Sequence, residues 1–70
     1  MTDAELKQAA NIAWDELKSS DMEEKHYREY ANKLSAISGR MQDKTYRKVY
    51  ADRAILYRNI AESLKNMKQL

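Results

Sequence analysis

The chain has 70 residues, no cysteine, 34% charged side chains and a formal net charge of +2. That length supports one domain with a modest core, and the lack of cysteine excludes disulfides, thiolate metal sites and thiol catalysis. No apolar run is long enough to span a bilayer and no leader-like segment opens the chain, so a cytoplasmic protein without a membrane partner is expected.

Thr2-Asp3-Ala4-Glu5 has the form of a capping box and predicts a helix over 3–19. Leu6, Ala10, Ala13 and Leu17 form its apolar seam, flanked by Ala9 and Trp14. The alanines would let a neighbouring helix approach closely. Trp14 at the stripe edge is expected at the rim of the core, with its indole N–H wet.

Ser20-Asp21-Met22-Glu23 reads as a second capping box, starting a helix over 21–38. Tyr27, Tyr30, Leu34, Ile37 and Met41 follow one another at steps of 3, 4, 3 and 4 residues, a heptad-like seam. Gly39 is the only glycine and stands where a helix-ending residue is expected.

The third helix, expected over 43–68, is the longest pattern and has Asp43 as its N-cap. Its wide apolar stripe comprises Tyr46, Val49, Tyr50, Leu56, Tyr57, Ile60, Ala61, Leu64 and Met67. Arg53 falls inside that stripe and needs a carboxylate, an aromatic ring or solvent. Short connections complete an all-α expectation: a three-helix bundle, or a helical hairpin packed on a longer C-terminal helix.

Charge divides unevenly. Residues 1–35 carry eight acidic and five basic side chains, whereas residues 36–70 carry three acidic and eight basic. Many acids precede a base by four residues, as in Asp3/Lys7, Asp21/Lys25, Glu24/Arg28, Glu29/Lys33 and Asp43/Arg47. Such pairs mark solvated helix faces.

Little here resembles catalysis. One histidine and no glycine-rich loop leave no nucleophile–base or phosphate-binding pattern. Glu23-x-x-His26 matches half of a helical di-iron motif, but the seams lack the additional acids that such a site requires. No enzyme activity, cofactor, metal or small-molecule substrate is expected.

The function expected is a protein–protein interaction module, acting as a regulator, inhibitor or adaptor and pairing with another protein or with itself as a homodimer. The first two helices are shorter than the third, so part of its stripe would lack cover within the chain. The expected contact set is Trp14, Tyr27, Tyr30, Arg53, Leu56, Tyr57, Ile60 and Leu64, rich in the aromatic and arginine side chains that dominate interfaces. The alternative is nucleic-acid binding through Arg40, Lys44, Arg47, Lys48, Arg58 and Lys65, with Arg47, Ala51, Ala54, Arg58 and Lys65 approximating a basic flank.

Overall fold

A computed structural model describes residues 1–68. It contains three helices, α1 (Asp3–Ser19), α2 (Glu24–Arg40) and α3 (Lys44–Lys68), in an all-α bundle. α2 runs antiparallel to both neighbours. Glu16 meets Lys33 and Asp3 meets the backbone of Gln42 along one side, while Arg28 meets Glu62 and Asn32 meets Arg58 along the other.

The start of α1 follows the expected chemistry. The Thr2 hydroxyl accepts from the Glu5 N–H at 3.2 Å, and the Glu5 carboxylate accepts from the Thr2 N–H at 3.0 Å. Asp43 caps α3, its Oδ1 accepting from the N–H groups of Thr45 and Tyr46 at 2.9 and 3.1 Å.

The turn between α1 and α2 departs from expectation. Ser20 closes α1 instead of opening α2: its hydroxyl donates to the Leu17 carbonyl at 2.6 Å and accepts from the Met22 N–H at 3.1 Å. Met22 lies in the left-handed region at φ 54°, which turns the chain sharply and delays α2 to Glu24. The Nδ1 of His26 then accepts from the Glu23 N–H at 3.3 Å, so this histidine caps a helix.

Gly39 does not end α2. It lies inside the helix with a negative φ, and the helix continues to Arg40 with Met41 as its C-cap. The packing of Ile37, Ser38 and Met41, all buried, outweighs the weak helical preference of one exposed glycine.

The core joins Leu6, Ala10, Ala13 and Leu17 of α1 to Tyr30, Leu34, Ile37 and Met41, and to Tyr50 and Ala54 of α3. Both shorter helices bury the seams read from their spacing, except that Tyr27 of α2 is half-buried. α3 does not. Its buried positions are Tyr50, Ala54 and Ala61, whereas Tyr46 and Val49 are each 39% exposed, Leu56 54% and Met67 66%. Against α2, the alanines at positions 31, 54 and 61 keep the facing surfaces flat, so the backbones of α2 and α3 run close together.

Helices packed at 8–10 Å in a closed triangle would give two nearly equal short dimensions. The molecule measures 43 × 22 × 12 Å instead, a shallow arc with α2 in the middle. Among the described residues, no Cα of α1 comes within 8 Å of one of α3. The gap between them is the main feature of the surface.

Candidate protein-interaction groove

The gap between α1 and α3 forms a groove of ≈ 310 Å³ lined by Ala10, Asn11, Trp14, Tyr30, Arg53, Leu56 and Tyr57. Aromatic rings meet across it. Tyr57 makes edge contacts with Trp14 at 5.8 Å and with Tyr30 at 4.8 Å, and stacks on Tyr27 at 6.2 Å, between ring centroids. Trp14 also meets Tyr30 at 5.6 Å. Rings in these geometries attract beyond their simple burial. They hold α1 and α3 together through side chains while keeping the backbones apart.

Each element positions its share by helical spacing. Lys7, Asn11, Trp14 and Lys18 follow one another along the side of α1 nearest α3. Tyr46, Val49, Arg53, Leu56 and Ile60 do the same along α3. Tyr30 supplies the floor. It is buried, and that burial pushes its hydroxyl above the ordinary tyrosine range.

The structure therefore brings together Trp14, Tyr30, Arg53, Leu56 and Tyr57 of the eight residues expected at an interface. Tyr27 joins through the ring stack, half-buried. Ile60 and Leu64 are half-buried one and two turns beyond Leu56. Ala10 and Asn11 also line the groove. The spacing places Ala10 in the core seam of α1, and a lone asparagine carries no signal of its own.

Arg53 is exposed. Its guanidinium carbon lies 5.3 Å from the centre of the Tyr50 ring, and it has no carboxylate partner among the described residues. Lys7 behaves similarly, with its Nζ 3.4 Å from the centre of the Tyr46 ring. The contact with Tyr46 raises the Lys7 pKa above the ordinary lysine value. Lys18 leans back over Trp14 at 5.7 Å and meets Asp15 at 3.5 Å. Three cations thus edge the groove, two of them without an ion pair among the described residues.

Most anticipated i, i+4 ion pairs do not form. Only Glu24–Arg28 does, at 3.3 Å, and Arg28 also reaches Glu62 at 2.9 Å. Hydrogen bonds from that guanidinium hold Glu62 below the usual carboxylate range. Lys33 turns to Glu16 at 2.8 Å, while Asp3 accepts from the N–H groups of Gln42 and Asp43.

The basic flank is interrupted. The Arg47 guanidinium donates from Nε and Nη2 to the Met41 carbonyl at 3.0 and 2.6 Å, and Arg58 donates to Asn32 Oδ1 at 3.1 Å. Ala54, expected on that flank, is buried, so its line does not remain on the outside. Arg40, Lys44, Lys48 and Lys65 are exposed.

Among the described residues, no three His, Cys, Asp or Glu side chains are grouped to hold a metal ion, and no helix is long and apolar enough to cross a membrane. Comparison with protein families, curated proteins and solved structures finds no match to this chain.

Proposed function

We propose that the protein is a non-enzymatic interaction module whose working surface is the α1–α3 groove, serving as a regulator, inhibitor or adaptor. The observation that carries this is the apolar face of α3 beside the groove. Leu56, which lines the groove, is 54% exposed, and Tyr46 and Val49 on the same side of α3 each keep 39% of their surface open to solvent. Contiguous exposed apolar surface of this kind marks binding sites more often than it marks solvated faces. A helix laid in the groove would turn the open arc into a closed bundle.

The test combines solution mass with site-specific trapping. Light scattering gives the mass of the untagged protein, and the absorbance ratio at 260 and 280 nm is followed across the same peak. A photo-crosslinking residue is placed at Asn11 in the groove, and another at Ser35, exposed on α2. The expected result is a discrete protein adduct from position 11 that is lost in the Leu56→Glu background, with none from position 35. Adducts at neither position, from a clean monomer, would overturn the proposal. A nucleic-acid-rich peak that collapses with added salt would move Arg40, Lys44, Lys48 and Lys65 ahead of the groove.

A further inference from the structure

We infer that the groove's occupant is an amphipathic helix of a foreign protein whose flanks carry carboxylates. This rests on the interaction reading above and adds the chemistry of the partner.

Shape limits the occupant first. The groove is bounded by two helices; Leu56 and Tyr57 of α3 line it with Trp14 of α1, and Val49 and Ile60 extend the Leu56 side of α3 at helical spacing. A helix presenting apolar residues at i, i+3 or i+4 and i+7 fits such a surface, whereas an extended strand requires a sheet edge to pair with. The described residues form helices only.

Charge then selects among helices. Lys7 and Arg53 edge the groove from opposite sides, each resting on a tyrosine ring and neither within ion-pair distance of a carboxylate among the described residues. Lys18 stands at the far end of α1, shared with Asp15. A cation resting on a ring is easily redirected to an arriving carboxylate, which makes a charge-assisted hydrogen bond. Lys7 and Lys18 are about 16 Å apart along α1 at 1.5 Å per residue, roughly three helical turns. The partner would therefore carry acids three turns apart on its α1-facing flank and one between them on its α3-facing flank.

The same rim argues against a second copy. A two-fold contact centred on the groove sets identical patches against each other. An axis crossing the groove would bring Lys7 of one copy toward Lys18 of the other, and like charges at an interface oppose pairing. A nucleic acid would satisfy the cations but leave Tyr46, Val49 and Leu56 without apolar cover.

Trp14 is the only tryptophan and lines the groove, so its fluorescence reports occupancy directly. The probes are synthetic, tryptophan-free helices 17 residues long, the span of α1. They share a Leu/Ile seam and differ only in flanks made of Glu, Gln or Lys. The Glu-flanked helix is expected to bind about tenfold more tightly than the Gln-flanked one, with the Lys-flanked helix weakest and the preference falling as salt is added. Arg53→Glu, at an exposed position, should erase or invert that order while circular dichroism shows unchanged helicity. Arg53→Gln should give an intermediate order.

Equal binding of the Glu- and Gln-flanked helices would overturn the acidic-partner inference and leave the interaction reading standing. Failure of all three helices, together with no adduct from position 11, would remove both. A wild-type particle of twice the chain mass with Trp14 shielded from a soluble quencher would assign the groove to self-pairing, against the inference. A duplex oligonucleotide that shifts Trp14 emission more strongly than the Glu-flanked helix would also overturn it.

Discussion

The two faces of α3 solve the problem of meeting a neighbouring helix in opposite ways. Toward α2 the buried positions include Ala54 and Ala61, with Ala31 buried on α2, and the backbones run close together. Toward α1 the contact is made by Trp14, Tyr57 and Lys7 on Tyr46, and the backbones stay apart. Small residues close a seam; large rings at the same kind of position prop it open. The first face is a core, and the second is left partly open to solvent.

That contrast is broken or sharpened most strongly by truncating one leucine on each side. Leu34 is fully buried in α2, so Leu34→Ala should cost about 2–5 kcal/mol in urea unfolding followed by far-ultraviolet circular dichroism. Leu56→Ala, on the groove face, should stay within about 0.5 kcal/mol of wild type. A comparable loss at both positions would mean that α3 is covered on both faces in solution and that no open groove exists.

A somewhat smaller effect comes from enlarging a residue on each face. Ala61 has no exposed surface, and Ala61→Leu forces extra volume between α2 and α3, with an expected loss of about 1–3 kcal/mol. Asn11 lines the groove, where the backbones are already apart. Asn11→Leu should be tolerated or mildly stabilising by the same assay, because it adds apolar contact to an unfilled trough. Destabilisation at both positions would show that the groove is as tightly packed as the seam.

These outcomes also explain what was legible in advance. The seams of α1 and α2 could be read because leucines, tyrosines and an isoleucine mark them at helical spacing, with alanines alongside. On α3 the bulkiest apolar residues pull the apparent stripe toward Val49, Leu56 and Met67, while the face that packs is marked by alanines, which carry little hydrophobic signal. The groove was legible only as a surplus. More apolar side chains lay on α3 than two shorter helices could cover, with an arginine among them. Its location was not, because it depends on the rings of Trp14 and Tyr57 meeting across space. Local pattern also missed the role of Ser20 and the continuation of α2 through Gly39, since both were decided by a turn at Met22 and by packing at Met41.

The smallest expected effect concerns the clamp that ties the start of α1 to the turn before α3. Asp3 begins α1, and its two carboxylate oxygens accept from the N–H groups of Gln42 and Asp43 at 2.9 and 3.0 Å. Those bonds hold its pKa below the ordinary aspartate value. A carboxyl depressed in the folded state contributes stability that is fully present above its unfolded pKa, near 3.8, and disappears as pH falls through the folded value. Glu5 and Glu62 are depressed as well, so the Asp3 contribution is read as a difference between wild type and Asp3→Asn. The variant should be slightly less stable at neutral pH, and the two curves should converge in acid below pH 3.8. Hydrogen exchange at Gln42 and Asp43 should quicken in the variant at neutral pH. If the clamp also sets the mouth of the groove, Trp14 emission should shift while the α2–α3 amides keep their protection. Loss of protection in both places would make Asp3 a support of the whole bundle, and the contrast between the two faces of α3 would then owe nothing to this end of α1.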